Sequence, residues 1–187
     1  MHEMINELEC CPVIAAVKDE DGLKACLKSD SSVVFILYGD ICNISQIVDI
    51  IKKSGKYAVV HMDLIQGLGN KEISVDFIKN QTRADGIIST RPPMMRRAKE
   101  LGLFTVMRFF VIDSMAYENI QKQTAAVCPD VIEILPGLMP KVIRRICQTV
   151  RRPVIAGGLI SEKEDIMAAL KAGAAAISTT NQQVWFM

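Results

Sequence analysis

The chain has 187 residues, of which 50% are hydrophobic and 23% are charged, and its formal net charge at neutral pH is +1. This length suits a single domain, 1–187, with a sizeable core, and the composition excludes disordered and collagen-like chains. The balanced charge argues against a protein that coats nucleic acid non-specifically, although it leaves room for a local basic patch.

The N-terminus and the apolar runs indicate a cytoplasmic protein that does not enter a membrane. Met1–Met4 is acidic and lacks the basic-then-apolar order of a secretory signal. No apolar run approaches the ~18–20 residues that a membrane helix needs. The six cysteines include no C-x-x-C pair, so we expect reduced thiols, with no metal and no organic cofactor.

Short runs rich in β-branched residues recur along the chain, and amphipathic segments separate them. In chain order the runs span 12–18, 33–39, 58–65, 85–90, 104–112, 131–137, 154–160 and 175–180. Most are continuously apolar, which is typical of parallel strands covered on both faces. Gly55, Gly102 and Gly173 each stand where a helix would end, and Ser161–Glu164 resembles a helix-opening capping box.

Eight strands that alternate with helices predict a small (β/α)8 TIM-type barrel, with roughly 23 residues per unit. A doubly wound open sheet is the alternative, and the absence of a G-x-G-x-x-G motif disfavours it. Only residues 181–187 follow the last strand, so the final helix must be truncated or missing. Residues 3–9, the tail 184–187 or another subunit must cover the flank left beside the first and last strands. Partly for this reason we expect a homo-oligomer.

The last two predicted strands end in residues suited to binding phosphate. Ligands of such barrels bind at the carboxyl ends of the strands, often with a phosphate after strands 7 and 8. Gly157 and Gly158 end the seventh run, and Ser178 and Thr179 end the eighth. Glycines let backbone N–H groups approach an anion, and hydroxyls add donors. The alternative is a tight turn followed by a helix cap.

Five further polar residues at strand ends are predicted to line a ligand cavity: Lys18, His61, Asp63, Arg108 and Glu133. His61 and Asp63 share one face by their spacing, and could act as base and orienter or close the barrel mouth as a hydrogen-bonded pair. Arg108 and Glu133 end neighbouring strands and could contact ligand or form an ion pair. Lys18 could contact an anion or form a Schiff base. No recognisable catalytic constellation is present, so we predict no catalytic residue.

Two basic segments suggest a surface for RNA. Residues 137–153 carry no acid, and residues 91–99 are also basic; on a barrel their helices would lie on one side, separated by one helix. The candidate RNA contacts are Arg91, Arg96, Arg97, Lys141, Arg144 and Arg145. None of the ten aromatic residues is interleaved with them, which leaves little platform for base stacking. A solvated basic face or a subunit contact is the alternative.

Six phrases occur in a fixed order along the chain: Val60–Leu68, Asp85–Arg91, Arg108–Phe110, Glu133–Gly137, Ala156–Ile160 and Ser178–Asn181. Together they resemble the glycerol uptake operon antiterminator regulatory protein family, across essentially the whole chain. The resemblance implies a TIM-barrel-like regulator that responds to glycerol 3-phosphate. It also implies binding to leader RNA of glycerol-utilisation transcripts, which lets polymerase read through a terminator.

Carried over by position, the resemblance places the phosphate at the glycine pair and the two terminal hydroxyls. It places the glycerol moiety among His61, Asp63, Arg108 and Glu133. The arginine-rich helix after the sixth strand is outside the matched phrases, so its RNA contact is inferred from charge alone. The rival hypothesis is a TIM-barrel isomerase, epimerase or aldolase that acts on a phosphorylated small substrate, because a phosphate site serves both functions.

Overall fold

A computed structural model describes residues 2–187, and its eight strands close into one parallel barrel. They are β1 (Val13–Val17), β2 (Val33–Ile36), β3 (Tyr57–His61), β4 (Gly86–Ser89), β5 (Phe104–Phe110), β6 (Val131–Leu135), β7 (Val154–Gly157) and β8 (Ala176–Thr179). Each strand pairs with the next, and β8 pairs with β1. The TIM-type barrel is confirmed, and the open sheet is wrong.

One helix precedes the barrel strands and one follows each strand from β1 to β7. The helices are α1 (His2–Cys10), α2 (Glu20–Cys26), α3 (Ile44–Lys53), α4 (Ile73–Gln81), α5 (Pro92–Glu100), α6 (Ser114–Val127), α7 (Pro140–Thr149) and α8 (Lys163–Lys171). The described chain ends in a short 3-10 helix, Gln182–Phe186, in place of a full eighth outer helix. The predicted truncation of the final helix is therefore correct.

The predicted strand and helix boundaries need small corrections. Each strand ends one to four residues before its apolar run does, because the chain turns into the loops of the barrel mouth. Gly55, Gly102 and Gly173 follow helices with φ of +81°, +69° and +105°, as expected of helix-ending glycines. The cap of α8 is shifted by one residue from the prediction: Glu162 is the N-cap, and its N–H donates to the Asp165 carboxylate at 3.1 Å.

Alternate strand residues fill the inside of the barrel, as the two-residue period of a strand requires. This inner cluster includes Ile14, Phe35 and Ile155, and it contains Met4 and Leu8 of α1. Helix α1 therefore packs its apolar side chains into the barrel core. All six cysteines are free thiols, as expected. No helix within residues 2–187 is long and apolar enough to cross a membrane.

The 3-10 helix covers the flank of β1 and β8 that lacks an outer helix. Val184 and Trp185 are buried there, and the Trp185 indole N–H donates to the carbonyl of Thr179 at 2.9 Å. The indole also lies beside Gly22 of α2, where an added Cβ would be 3.6 Å from the ring. Since the chain covers this flank itself, the flank gives no reason to expect a second subunit, and the homo-oligomer stays a prediction.

We predict that Trp185→Ala lowers the free energy of unfolding by about 3–5 kcal/mol, because it empties a buried indole site and removes a hydrogen bond. Phe186→Ala is the matched control: Phe186 is 57% exposed, and its loss should change stability by less than about 0.5 kcal/mol. Urea unfolding followed by circular dichroism measures both. Equal effects of the two substitutions would show that the tail does not seal the barrel.

Candidate functional site

A cavity of about 510 Å³ opens at the carboxyl end of the barrel, beside β1, β6, β7 and β8. Six of the nine predicted ligand-binding residues line it: Lys18, Arg108, Glu133, Gly158, Ser178 and Thr179. Four of them point to the inside of the barrel, because each stands two residues after a strand residue of the inner cluster: Lys18, Arg108, Glu133 and Ser178. Gly157, His61 and Asp63 are not part of this lining. We call this space the mouth cavity.

A fully buried carboxylate joins three strands at the wall of the mouth cavity. Glu133 of β6 accepts a 2.6 Å bond from the Nε–H of Arg108 on β5 and a 2.5 Å bond from the hydroxyl of Ser178 on β8. Arg108 and Glu133 are therefore an ion pair, one of the two expected alternatives. Within residues 2–187 only the Nε–H of this guanidinium has an acceptor, so its Nη groups can donate to an anion in the cavity.

Gly157 keeps this arrangement possible by having no side chain. It pairs with Ser178 across β7 and β8, and an added Cβ would lie 2.6 Å from the Ser178 hydroxyl oxygen and 2.7 Å from Glu133 Oε1. The prediction that both glycines bring their backbone close to a phosphate therefore needs correction. Gly157 lies behind the wall, and only Gly158, with a φ of +76°, lines the cavity.

The two terminal hydroxyls donate their hydrogens to protein acceptors. Ser178 donates to Glu133, and Thr179 donates to the carbonyl of Ile160 at 2.7 Å. The bond to Ile160 fastens the loop after β7 to the end of β8, and Thr179 also accepts from the backbone N–H of Asn181 at 3.1 Å. In this arrangement the hydroxyls can accept hydrogen bonds but are not spare donors, so the cations of the cavity carry the attraction for an anion.

Several residues of the mouth cavity were missed in the sequence, among them Asn181 and Leu159. Asn181 lines the cavity and caps the 3-10 helix by accepting from the N–H of Gln183. Leu159 also lines it, is 73% exposed and has a φ of +63°. A leucine in the left-handed region costs roughly 1–2 kcal/mol, and such strain concentrates at binding sites. Both residues lie inside matched phrases, Ser178–Asn181 and Ala156–Ile160, but no residue pattern marks the left-handed conformation of Leu159, because leucine rarely adopts it.

Asp63 belongs to a second polar cluster rather than to a pair with His61. Strand β3 ends at His61, and Asp63 lies in the following turn. Its carboxylate accepts from the Ser89 hydroxyl at 2.9 Å and from both the N–H and the hydroxyl of Thr90, and it lies 3.7 Å from Arg91 Nε. Burial raises the pKa of Asp63, but the hydrogen bonds from Thr90 and Ser89 outweigh it, and the net pKa is below the ordinary value.

His61 is a buried, neutral imidazole at physiological pH. It is 3% exposed, and its Nδ1 has no hydrogen-bond partner in the described chain. Burial lowers its pKa to about 4, and the nearby charge of Arg108 adds to that shift, while Asp63 opposes it. The hydrogen-bonded pair with Asp63, one of the alternatives expected from the sequence, does not form. A neutral ring beside Arg108 adds no second positive charge to the buried layer.

The six candidate RNA contacts divide into engaged and unengaged cations. Arg97 is bound to Asp76 through two nitrogens and to Glu100 at 2.8 Å, and Arg91 lies against Asp63. The other four are exposed and have no acidic partner within 4.0 Å in residues 2–187: Arg96, Lys141, Arg144 and Arg145. The unengaged charge is thus concentrated on α7, and α5 contributes little of it.

Comparison with known proteins gives a consistent result. Residues 13–185 match the family model described as glycerol-3-phosphate responsive antiterminator. The chain belongs to this family. The uncharacterized protein YgcP of Escherichia coli K12 is 49% identical over 182 residues, which are 97% of this chain and 95% of YgcP. The resemblance found in the sequence is therefore confirmed.

Two crystal structures of antiterminator-type proteins have the same fold. The glycerol uptake operon antiterminator regulatory protein of Listeria monocytogenes has a TM-score of 0.89 and 33% identity, over 92% of this chain and 94% of its own. The antiterminator-related protein of Thermotoga maritima has a TM-score of 0.83 and 39% identity, over 94% and 98%. More distant barrels include a deoxyribose phosphate aldolase of Aeropyrum pernix, at 14% identity, which shows the fold alone.

We predict that His61 makes the antiterminator less stable in acid. The pKa of a histidine in the unfolded chain is 6.5, against about 4 in the folded protein, so the proton is taken up on unfolding and acid favours the unfolded state. Between pH 7 and pH 4 this should remove about 3 kcal/mol of stability. Urea unfolding of the wild type and His61→Gln across this range measures the difference. Identical pH dependence in the two proteins would contradict the burial of a neutral imidazole.

Proposed function

We propose that this antiterminator binds glycerol 3-phosphate in the mouth cavity and that binding controls its hold on leader RNA. The observation that carries the proposal is the pair of cations, Lys18 and Arg108, on one cavity of about 510 Å³. Membership of a family described as glycerol-3-phosphate responsive supports the choice of ligand. A cavity of this size suits a small molecule.

The phosphate end of the ligand would lie between the two cations. Lys18 is exposed to the cavity and has no hydrogen-bond or ion-pair partner among the described residues, so its ammonium is available to an anion. Arg108 lines the same space, and Glu133 accepts from its Nε–H, which leaves the Nη groups without an acceptor in residues 2–187. The glycerol hydroxyls would meet the polar side chains of Thr180 and Asn181 at the edge of the cavity. Together these groups distinguish the phosphate ester from free glycerol.

The arrangement favours binding over proton transfer. An isomerase or epimerase needs carboxylates that are free to take and give protons. Glu133 is held between Arg108 and Ser178, and Asp63 lies outside the cavity lining with its oxygens hydrogen-bonded. The enzyme hypothesis therefore has less support in the geometry than a regulator. A turnover assay with triose and pentose phosphates tests it, and activity lost in Glu133→Gln would favour the enzyme.

Backbone hydrogen bonds connect the mouth cavity to the basic helix α7. The N–H of Gly137, in the loop before α7, donates to the carbonyl of Gly158 at 3.1 Å. An added Cβ at Gly137 would lie 2.9 Å from the Ile160 side chain, so the two loops are in close contact. A ligand that repositions residues 158–161 can shift the loop before α7. Such coupling requires the ligand to bind the two conformations with different affinity.

We predict that Lys18→Met weakens glycerol 3-phosphate binding roughly 10- to 100-fold, which is the value of one charge-assisted hydrogen bond. Lys24→Met, at an exposed position of α2, is the control and should change nothing. Isothermal titration calorimetry with glycerol 3-phosphate, glycerol and inorganic phosphate measures each affinity. A wild type that binds the intact ester no better than inorganic phosphate would contradict the proposed ligand.

We further predict that saturating glycerol 3-phosphate changes the affinity for RNA at least five-fold, the lower range of allosteric coupling. Fluorescence anisotropy with a labelled leader transcript of a glycerol-utilisation operon, with and without the ligand, measures it. Lys18→Met at the same ligand concentration should show a smaller change. Equal RNA affinity with and without ligand in the wild type would refute ligand control.

A further inference from the structure

A long groove runs between α6 and α7 on the outside of the barrel. Three cavities of about 320, 270 and 510 Å³ lie along it. The first two share Tyr117, and the second and third share Gln121, Thr149 and Val150, so the three form one continuous depression. Helix α6 packs against α5 and α7 packs against α8, which leaves this groove between the two helix pairs.

The end of the groove nearest the barrel mouth is apolar and holds an aromatic ring. Ile112 is 83% exposed, and Met139 and Val142 line the same cavity. Tyr117 is half-buried there, with Arg145 at the edge. Although Tyr117 and Arg145 are far apart in sequence, the fold brings them to one cavity, with Tyr117 on α6 and Arg145 on α7. An exposed apolar recess beside an aromatic ring and a guanidinium is a surface on which a nucleobase can stack.

Cations without acidic partners are spaced along the rest of the groove. Lys122 lines its middle, and Arg151 and Arg152 line the far end. Neither these three residues nor Arg145 lies within 4.0 Å of an acidic group in residues 2–187. The acids of the groove are Asp113 and Glu118.

Positive charge therefore predominates along the groove. One of its two acids is also engaged: the Asp113 carboxylate accepts from the N–H of Ala116 at 2.7 Å, as the cap of α6. The cations occur at the top, the middle and the foot of the groove. This distribution complements a chain of phosphates that follows the groove better than a single bound anion.

We propose that the α6–α7 groove binds single-stranded RNA, with an unpaired base in the apolar end against Tyr117 and successive phosphates at Arg145, Lys122 and Arg151–Arg152. This inference rests on the proposed RNA-binding function and assigns it a surface. A single strand presents both base faces and backbone to such a groove, whereas a duplex keeps its bases in the stack. The surface differs from the basic face expected from sequence, which included α5.

The groove adjoins the mouth cavity through one strand-end contact. Val111 lines the apolar end of the groove, and its N–H donates to the carbonyl of Leu135 at 2.8 Å. Leu135 lines the mouth cavity. A movement of the cavity wall is thus passed directly to the residue that forms the base recess. This contact gives the proposed ligand control a short physical route.

The test uses the full chain and a fluorescein-labelled 20-nucleotide single-stranded RNA of random sequence, with anisotropy measured over a range of salt. Arg145→Gln should reduce the slope of log affinity against log salt by about 0.7, the value of one phosphate contact on a single strand. The double substitution of Arg151→Gln and Arg152→Gln should reduce it by about 1.4. Arg83→Gln, in the loop after α4, is the matched control, because Arg83 is also exposed without an acidic partner within 4.0 Å in residues 2–187, and it should leave the slope unchanged. Arg96→Gln tests the rival basic face on α5.

The stacking contact has its own readout. Tyr117→Leu should weaken RNA binding about 5- to 100-fold with little change of slope, whereas Tyr117→Phe should retain the affinity because the ring remains. Unfolding midpoints of both variants show whether the fold is intact. If Tyr117→Leu does not fold, the salt slopes of the arginine variants test the groove without it. An unlabelled duplex of the same length should compete poorly.

Three results would overturn the groove assignment. If Arg96→Gln reduces the slope as much as Arg145→Gln, or if duplex competes as well as single strand, RNA binds elsewhere and the proposed function stands without this site. If Ile112→Ser changes the molar mass in light scattering while RNA affinity is unaffected, the apolar end is a contact between copies of the chain. If the wild type binds neither the random RNA nor a leader transcript, the proposed RNA-binding function fails together with the groove.

Discussion

The structure of the site depends on one buried carboxylate. Glu133 has no exposed surface, and its two oxygens hold Arg108 of β5 and Ser178 of β8. Breaking a buried ion pair by removal of one partner typically costs 3–5 kcal/mol, because the other charge stays buried and unpaired. The glycine at position 157 follows from the same contact, since any Cβ there would collide with both the carboxylate and the hydroxyl. Three of the predicted ligand residues, Arg108, Glu133 and Ser178, are therefore hydrogen-bonded to one another.

That arrangement decides how the mouth cavity can recognise an anion. The carboxylate accepts from one nitrogen of Arg108 and thereby positions the guanidinium, whose other nitrogens remain available as donors to a ligand. Its negative charge offsets one positive charge, and Lys18 supplies a second that has no partner in the described chain. His61 stays neutral beside Arg108, with its pKa lowered to about 4 by burial and by that cation. The cavity is therefore positive enough for a phosphate without a buried cluster of like charges.

The fold and the inward-facing polar strand residues of the mouth cavity were predictable because both follow from periodicity. Continuous apolar runs between amphipathic segments predict the barrel, and the two-residue period of a strand carries Arg108 and Ser178 to the inside. The hydrogen-bond partners in the loops were not predictable in this way. Asp63 binds Ser89 and Thr90 across two loops because β3 ends at His61, and no sequence pattern marks that end. Such pairings depend on tertiary distances, as does the meeting of residues 117 and 145 in one groove.

The same division between strands and loops locates the parts that can respond to a ligand. The strands are buried on both faces and close-packed, so they resist small displacements. Backbone hydrogen bonds join the loop after β5 to the end of β6, through Val111 and Leu135, and the loop after β6 to the loop after β7, through Gly137 and Gly158. These loops expose Ile112 and Leu159. Leu159 already holds a strained backbone conformation at the cavity edge. In the proposed mechanism, a ligand held by Lys18 and Arg108 would contact this linked set of loops. Because α6 and α7 both begin in these loops, the two helices would carry the change from the mouth cavity to the surface.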